Sequence, residues 1–244
     1  MSASKFTVTG LRSIEECLKV NPKKILKIMV PSGKNSSRFD EIVGLAKKNK
    51  VTVETTGKTE KNSEQELSAV LEPFQYVDFS GLLSVLKKQT QNTNKPVVVA
   101  LDGITDTNNL GAIIRTAAFM GIRHVLIPKD RSVQITDTVF RIASGGLEYV
   151  EVSQVTNLVS ALKELKEAGF WVVGFTEHSE QRLEEVPKDI AKVIVIGNEE
   201  KGIRPLVLEN CDFRVGLESR GELKSLNASV AAALSMTWAV GNSK

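Results

Sequence analysis

Residues 193–202 read Val-Ile-Val-Ile-Gly-Asn-Glu-Glu-Lys-Gly, an unbroken apolar run that passes directly into a polar loop bounded by glycines. Short runs of β-branched residues without polar alternation are typical of strands buried on both faces, as in a parallel sheet covered by helices. Ligands of open α/β sheets bind where such strands end. The loop that follows Ile196 is therefore a candidate ligand site.

The same pattern recurs throughout the second half of the chain. Apolar runs predict five further strands there: Val97–Leu101, His124–Ile127, Tyr149–Val152, Phe170–Phe175 and Phe213–Val215. Apolar residues recur at helical spacing over 110–118 and 158–165, so each of those helices should pack one face on a sheet. This half therefore predicts a doubly wound α/β domain.

A smaller α/β pattern occupies the first half. Its predicted elements alternate along the chain: helix Ser13–Val20, strand Ile25–Val30, helix Phe39–Lys48 and strand Val51–Thr55. The polar segment 87–96 ends in proline and has the composition of an interdomain linker. We therefore expect a small α/β/α domain over residues 1–86, a linker over 87–96 and a larger domain over 97–244.

The positive charge of the chain is concentrated in its first part. Residues 1–93 hold 15 Lys and Arg against 10 Asp and Glu, a balance of +5, whereas residues 94–244 hold 17 against 19, a balance of −2. Clustered lysines such as Lys23, Lys24 and Lys27 favour binding to phosphates. An ordinary solvated helix face explains the same lysines equally well.

The two cysteines, Cys17 and Cys211, are far apart and have only His124 and His178 to complement them. This pattern excludes the spaced pairs of a structural zinc site, and it suits a reducing cytosol. No apolar stretch approaches the roughly 20 residues of a membrane span, and the first residues lack the apolar core expected of a signal peptide. The sequence thus predicts a soluble, cytoplasmic protein without a metal.

The common nucleotide-binding loops are disfavoured. No predicted strand is followed by G-x-G-x-x-G, and the G-x-x-x-x-G spacing of Gly197 and Gly202 continues with Ile203-Arg204 instead of Lys-Ser/Thr. The loop must therefore serve a different chemistry from that of a dinucleotide-binding fold or a P-loop.

Two other polar segments lie at comparable positions. The first is Asn108-Asn109-Leu110-Gly111, which opens a helix that carries Arg115, and the second is Ser225-Leu226-Asn227-Ala228-Ser229, which opens the last helix. Each has a simpler alternative, because asparagine and serine are common helix caps and Gly197 could belong to an ordinary strand-to-helix turn. Their order along the chain is what makes the three segments distinctive.

Together the three segments resemble the motifs of the SpoU (TrmH) family of ribose 2′-O-methyltransferases in the SPOUT superfamily, and the resemblance covers residues 97–242. Residues 6–80 more loosely resemble the ribosomal-protein-like RNA-binding domain of the group that methylates 23S rRNA guanosine. The resemblance implies S-adenosylmethionine as the methyl donor, a trefoil knot, a homodimer and RNA as the partner, with neither DNA nor a membrane.

Residue roles follow from the matching positions. Asn109 and Arg115 would face the ribose and its phosphate, and three further side chains would help to position the substrate: Glu199, Ser225 and Asn227. Backbone atoms near four residues would hold the cofactor: Gly197, Leu217, Leu226 and Asn227. Because a guanidinium is a poor proton acceptor, we expect Arg115 to hold the phosphate while Glu199 or water receives the proton.

The chain departs from the family pattern in three places. Glu200 stands where the family usually has glycine, Ala228 where valine is common and Ala233 where glycine is common. The extra charge and bulk of Glu200 leave open a non-catalytic RNA-binding relative. Within the enzymes, a tRNA methyltransferase or an antibiotic-resistance rRNA methyltransferase is the alternative to modification of 23S rRNA.

Overall fold

The computed structural model describes residues 6–32, 36–56, 66–91, 95–177, 179, 181–219, 221–222 and 225–241. In chain order the strands and helices are β1 Phe6–Thr9, α1 Leu11–Val20, β2 Ile25–Pro31, α2 Ser37–Lys48, β3 Thr52–Thr56, β4 Ser68–Leu71, α3 Phe79–Gln89, β5 Val97–Asp102, α4 Thr107–Phe119, β6 His124–Pro128, α5 Asp137–Ala143, β7 Glu151–Val155, α6 Leu158–Glu167, β8 Trp171–Phe175, β9 Lys192–Gly197, α7 Pro205–Glu209, β10 Phe213–Val215 and α8 Ala228–Val240.

The chain forms two compact units, each assembled from two segments. The amino-terminal unit comprises Met1–Gln75 together with Ile135–Tyr149, and the carboxy-terminal unit comprises Tyr76–Gln134 together with Val150–Lys244. Helix α3 and the residues that follow it thus belong to the carboxy-terminal unit, and the units divide near residue 76 instead of within 87–96. Residues 92–94 of the predicted linker lie outside the described residues.

A six-stranded sheet in the order β10-β8-β9-β5-β6-β7 forms the centre of the carboxy-terminal unit, and every neighbouring pair is parallel. The α/β fold class and all six strands predicted for this half are confirmed, with strand ends displaced by no more than three residues. All five residues of β6 are buried, as are five of the six residues in each of β5 and β9. Burial on both faces explains why the apolar runs predicted these strands.

Helices cover this sheet through their apolar stripes. Leu158, Leu162 and Leu165 of α6 share one buried cluster with β5, β8 and β9, and Leu82 and Leu86 of α3 join the same cluster. Asp78 caps α3 by accepting a hydrogen bond from the Gly81 amide at 2.9 Å. This explains why part of the polar segment 87–96 is helical: the apolar face of α3 continues to Leu86 and carries the helix to Gln89.

The amino-terminal unit contains a four-stranded mixed sheet in the order β1-β4-β2-β3. Strands β2 and β3 are parallel, whereas β4 runs antiparallel to both β1 and β2. The predicted helices and strands of this half are present, and β1 and β4 are additional strands of four residues each. Helices α1 and α2 bury their apolar residues in this unit's core, including Ile14, Leu18 and Ile42.

The second segment of this unit, Ile135–Tyr149, completes its core. The ring centroids of Phe140 and Phe6 lie 5.9 Å apart in an edge-to-face arrangement, and the Ser13 hydroxyl donates to the Phe140 carbonyl at 3.1 Å. Glu148, whose side chain is almost fully buried, pairs with Lys24 at 3.0 Å. These contacts make residues 135–149 part of the same small domain as residues 6–75.

The trefoil knot implied by the family resemblance stays a prediction, because it concerns how the chain threads between loops and not the order of the strands. Among the described residues, no helix is both long and apolar enough to cross a bilayer.

Candidate functional site

The loop after β9 closes on itself through Asn198. The Asn198 backbone amide donates to the Gly202 carbonyl at 3.0 Å, and the Gly202 amide returns a bond to the Asn198 carbonyl at 2.9 Å. The Asn198 side-chain oxygen accepts from the amides of Glu200 and Lys201 at 3.0 and 3.1 Å, while its nitrogen donates to the Gly103 carbonyl at 2.9 Å. The loop is therefore a tight turn fixed to the end of β5.

Gly197 is required by this turn for steric reasons. A Cβ atom at Gly197 would lie 2.2 Å from the Gly202 carbonyl carbon and 2.3 Å from the Ile203 amide nitrogen. Both distances are far inside van der Waals contact, so any other residue would force the loop open. The absence of a side chain at Gly197 thus lets the two ends of the loop approach each other closely.

Helix α4 begins at Thr107, at least two residues earlier than the capping alternative requires. Asp106 is its N-cap and accepts a hydrogen bond from the Asn108 amide at 2.9 Å, so neither Asn108 nor Asn109 caps the helix. Asn109 lies inside the first turn with 6% of its surface exposed. Its side-chain nitrogen donates to Glu199 Oε2 at 3.2 Å.

Helix α8 begins with a cap that has two functions. Asn227 is the N-cap, and its side-chain oxygen accepts from the Ser229 amide at 3.0 Å and from the Ser229 hydroxyl at 2.6 Å. The side-chain nitrogen of Asn227 donates to Glu199 Oε2 at 3.3 Å. The capping alternative is therefore correct for Asn227, and the same side chain also faces the loop after β9.

One carboxylate oxygen thus joins the three polar segments identified from the sequence. Glu199 Oε2 accepts from Asn109 of the first segment and from Asn227 of the third, while Glu199 itself belongs to the second. Both of these bonds are made by Oε2, and no described residue donates to Oε1 in the hydrogen bonds of the structure. The cluster combines a carboxylate with two amide groups at the carboxyl edge of the parallel sheet.

An ion pair with a buried carboxylate supports this edge and was not identified from the sequence. Asp102, the last residue of β5, has a fully buried side chain, and its two oxygens accept from the Arg204 amide and from Arg204 Nε at 2.7 Å each. Arg204 Nη2 lies 2.6 Å from the same carboxylate. The only sequence signal was a charged residue at the end of an otherwise apolar strand.

Two predicted site residues are not joined to the cluster. Arg115 lies six residues beyond Asn109 on α4, about 9 Å along the helix axis, and its side chain is exposed. Among the described residues, no acidic group lies within ion-pair distance of Arg115. Ser225 is also exposed and precedes Asn227 by two residues.

The two leucines predicted near the cofactor flank the cluster in sequence. Leu217 follows β10 and is half-buried, whereas Leu226 immediately precedes Asn227 and is 46% exposed. An exposed leucine beside the polar cluster is an apolar surface that a ligand could cover. Both residues lie in loops at the carboxyl ends of strands or at the start of α8.

The cysteines are free, buried and chemically inert. Burial raises the pKa of the Cys211 thiol to about 12, and burial together with the neighbouring Glu148 carboxylate raises the pKa of Cys17 to about 12. Neither thiol supplies a thiolate nucleophile at neutral pH. In the described part of the chain, no group of three or more His, Cys, Asp or Glu side chains is arranged to hold a metal ion.

Comparison with protein families finds matches over both parts of the chain. The profile of the family described as SpoU rRNA Methylase matches residues 96–237, and the profile described as RNA 2′-O ribose methyltransferase substrate binding matches residues 7–76. A Staphylococcus aureus (strain MSSA476) protein assigned to the TrmH family of tRNA/rRNA methyltransferases is 36% identical over 234 residues, which covers 94% of this chain and 93% of the relative. A Staphylococcus haemolyticus (strain JCSC1435) protein with the same assignment is also 36% identical, covering 94% and 92%.

Solved structures share the fold over nearly the whole chain. The SpoU methyltransferase AviRb from Streptomyces viridochromogenes superposes with a TM-score of 0.79 at 20% identity, covering 98% of this chain and 89% of that one. Its complex with AdoMet gives a TM-score of 0.77 at 19% identity, with coverage of 98% and 90%. An AdoMet-bound rRNA methyltransferase from Sinorhizobium meliloti gives 0.74 at 18% identity, with coverage of 96% and 86%.

Proposed function

Because the chain belongs to the SpoU family of RNA methyltransferases, which use S-adenosylmethionine, we propose that it methylates a ribose 2′-hydroxyl and that its target is a guanosine of 23S rRNA. The observation that carries the proposal is the shared Glu199 carboxylate, which holds Asn109 and Asn227 in one hydrogen-bonded cluster. The basic amino-terminal part of the chain and its match to a substrate-binding family support a large RNA substrate.

The residues at this edge suit S-adenosylmethionine. Exposed Leu226 and half-buried Leu217 offer apolar surface for a flat base, and the Glu199 carboxylate supplies negative charge near a cationic ligand. Gly197 keeps the loop after β9 narrow, so that its backbone can approach a ligand. When bound, the cofactor supplies a methyl group made electrophilic by a positively charged sulfur.

The side chains would then act by positioning and by accepting a proton. Asn109 is buried and fixed to Glu199, so its amide can orient a ribose without first losing conformational freedom. As the 2′-oxygen forms its bond to the methyl carbon and the carbon–sulfur bond breaks, the hydroxyl proton must leave. Glu199 Oε1 is a suitable acceptor, because the hydrogen bonds from Asn109 and Asn227 both occupy Oε2.

Arg115 fits a role at the phosphate. Its guanidinium is exposed on α4, it has no acidic partner among the described residues, and it stays protonated at any physiological pH. A planar cation of this kind binds a phosphate in a two-pronged geometry and can stabilise negative charge that develops on the 2′-oxygen. We also propose Ser225, two residues before Asn227, as a residue that helps to position the substrate.

The decisive experiment is methyl transfer from labelled S-adenosylmethionine to unmodified 23S, 16S and tRNA transcripts, with the product mapped by local resistance to alkaline cleavage. We expect one protected guanosine in 23S RNA, and its loss in the Arg115→Ala variant. Protection in tRNA alone would overturn the 23S assignment in favour of a tRNA enzyme. Either of these RNA substrates would place the enzyme in the cytoplasm.

We also propose that the protein is a homodimer that buries the start of α8. Leu226, Val230 and Leu234 are each close to half exposed, and Val230 and Leu234 are one helical turn apart on the same face. Phe119, at the end of the neighbouring helix α4, is 85% exposed. Exposed large apolar residues on two neighbouring helices favour a subunit interface there.

Light scattering coupled to gel filtration tests the dimer. The wild-type protein should have twice the 26.7 kDa mass of one chain, and Leu234→Lys should reduce it to a monomer. Val85→Lys is a matched control, because Val85 is an exposed apolar residue of α3. A wild-type monomer at micromolar concentration would contradict the proposal.

A further inference from the structure

A short basic loop lies beside the candidate site and has no part in the chemistry described so far. This basic loop, residues Lys129–Gln134, follows β6 and exposes both Lys129 and Arg131 to solvent. None of the ion pairs among the described residues involves either cation. Two unpaired cations on a loop of six residues are available to an anionic ligand.

Gln134 holds the loop in one conformation. Its side-chain nitrogen faces three carbonyl oxygens, those of Pro128 at 3.4 Å, Lys129 at 3.1 Å and Ser132 at 2.9 Å. Its side-chain oxygen accepts from the Tyr76 hydroxyl at 3.3 Å and from the side-chain nitrogen of Gln154. A single side chain thus ties both ends of the loop to the sheet.

Backbone contacts fix the loop to its neighbours as well. The Ile104 carbonyl accepts from the Ser132 hydroxyl at 3.1 Å and from the Val133 amide at 2.8 Å, and the Lys129 amide donates to the Val155 carbonyl at 2.9 Å. Arg131 has a φ of 58°, in the left-handed region that residues other than glycine seldom adopt. Such conformations persist where the surroundings impose them, and they concentrate at functional sites.

The basic loop lies next to the loop that carries Glu199. Gly103 stands between the two. A Cβ atom added at Gly103 would lie 3.8 Å from the Arg131 carbonyl oxygen and 3.9 Å from Asn198 Cβ. Asn198 directly precedes Glu199, whose carboxylate joins the catalytic cluster. The Arg131 backbone and the Asn198 side chain are therefore both neighbours of Gly103, which places the basic loop beside the loop of the proposed proton acceptor.

We propose that the basic loop binds the phosphodiester backbone of the RNA strand beside the target nucleotide, with Arg131 as the main phosphate contact and Lys129 as the second. The inference rests on the proposed function and specifies how the substrate is held. Because the loop is already fixed by Gln134 and Ile104, binding does not require it to be ordered first. Asp130 lies between the two cations in sequence and would repel the same phosphates.

The test is the salt dependence of RNA binding. Each phosphate contact that is lost should lower the slope of log affinity against log salt concentration by about 0.7 to 0.9. We expect this decrease for Arg131→Gln and for Lys129→Gln, measured by fluorescence anisotropy with an unmodified 23S transcript. Asp130→Asn should bind the transcript more tightly than the wild type. Arg131→Lys should keep the slope but bind more weakly, since lysine lacks the planar fork.

Arg123→Gln is the matched control. Arg123 is exposed and directly precedes β6, at the opposite end of the same five-residue strand and about 16 Å from the basic loop. We expect its slope to equal that of the wild type. Calorimetry with S-adenosylmethionine confirms that each variant is folded, because none of these substitutions should change the cofactor affinity. Equal slopes for Arg131→Gln and Arg123→Gln, with wild-type binding by Asp130→Asn, would overturn the proposal.

Methyl transfer by the same proteins separates this inference from the proposed function. If the slope falls only for the loop variants while no guanosine of the 23S transcript is methylated, the basic loop binds RNA and the substrate assignment is wrong. If the transcript is methylated at one guanosine and the loop variants keep both the wild-type slope and the wild-type KM for RNA, the assignment holds and the basic loop is not a phosphate site.

Discussion

Glu199 is exposed, yet one of its oxygens accepts from two side-chain amides, Asn109 in the first turn of α4 and Asn227 at the cap of α8. Those bonds fix its orientation, and they also connect the loop after β9 to the first turn of α4 and to the cap of α8. Glu199 could therefore hold its neighbours in place, accept a proton, or do both. A substitution that keeps the hydrogen-bond acceptor but cannot take up a proton separates the two roles.

Glu199→Gln is that substitution. Glutamine keeps an oxygen that can accept from Asn109 and Asn227 but cannot take up the proton of the 2′-hydroxyl. We expect kcat to fall by about 10²-fold or more, as for the loss of a general base, with the KM for RNA unchanged and the affinity for S-adenosylmethionine lowered by the loss of the nearby negative charge. Single-turnover kinetics would measure the change.

Glu200→Gln removes the same charge from the adjacent exposed residue and serves as the control. Turnover by Glu199→Gln close to that of Glu200→Gln would show that Glu199 only positions its neighbours, and water would then be the proton acceptor.

Gly197→Ala tests the close approach of the two ends of the loop after β9. The added Cβ would lie 2.2 Å from the Gly202 carbonyl carbon, so the loop must open and the cofactor affinity should fall below the range of calorimetry. Gly44→Ala is the comparison, because nothing lies within 4 Å of a Cβ at this position in α2. We expect Gly44→Ala to raise the free energy of unfolding by about 0.5–1 kcal/mol. Wild-type cofactor binding by Gly197→Ala would contradict the steric argument.

At the scale of strands and helices, the six strands of the larger sheet were predictable because burial on both faces leaves a continuous apolar run in the sequence. Strands β1 and β4 were missed because each has only four residues and depends on pairing with the other across the sequence. The three polar segments were predictable as candidates from their positions after strands and before helices. Their meeting at Glu199 Oε2 was not, since nothing in a local pattern specifies which side chains share an acceptor.

The ion pair between Asp102 and Arg204 shows the same limit. The carboxylate ends β5, and its partner precedes α7, so the pair depends on β5 and β9 being neighbours in the sheet. A charged residue at the end of an apolar strand could have suggested a buried partner. To identify Arg204 as that partner, one must know the order of the strands in the sheet, which the periodicity of the sequence does not specify.

Asp102→Ala should lower the free energy of unfolding by roughly 1–3 kcal/mol, because the Arg204 amide loses its acceptor while the exposed guanidinium can be solvated by water. The measurement is urea denaturation. Glu54→Ala breaks a pair with Lys27 in which both side chains are exposed, and it should cost no more than about 0.5 kcal/mol. Equal effects of the two substitutions would show that Asp102 contributes nothing beyond a surface charge.

His124, at the start of β6, should make stability depend on pH. Burial is the main cause that lowers its pKa and nearby Arg123 lowers it further, whereas Glu151, 3.3 Å from Nδ1, acts in the opposite direction. The folded pKa therefore lies below the unfolded value of about 6.5. Between the two values the unfolded chain binds more protons, so stability is complete above the unfolded pKa and falls as the pH drops through this window.

Urea titrations between about pH 5 and 8 would measure this dependence around the pKa of an unperturbed histidine. His124→Gln should lose less stability than the wild type on acidification. The same loss in both proteins would assign the dependence to other groups.

At the scale of the whole molecule, the unexpected feature is that the amino-terminal unit includes Ile135–Tyr149. The sequence predicted a boundary in the polar segment 87–96, because composition identifies solvated stretches but not the domain that a distant apolar residue completes. Phe140 illustrates the difficulty: its ring packs on Phe6, more than a hundred residues earlier. The pattern of apolar residues in 135–149 does not indicate which of the two units the segment packs on.

A fragment of residues 76–244 should therefore be imperfectly folded at this segment. Phe140 and Leu147 would lose their partners in the amino-terminal unit, and we expect limited proteolysis to cleave between residues 135 and 149. Addition of a separate 1–75 fragment should restore resistance if the two pieces associate. Resistance of the 76–244 fragment equal to that of the full chain would show that the segment folds without those partners.

The divided amino-terminal unit also affects how the protein emerges from the ribosome. Translation at about 5–20 residues per second takes roughly 4–15 s to pass from residue 75 to residue 149. Throughout that interval the nascent sheet of β1 to β4 lacks Phe140 and the buried Glu148 that pairs with Lys24. Chaperones therefore have seconds in which to bind the unfinished domain, and a chain that terminates before residue 149 completes neither unit.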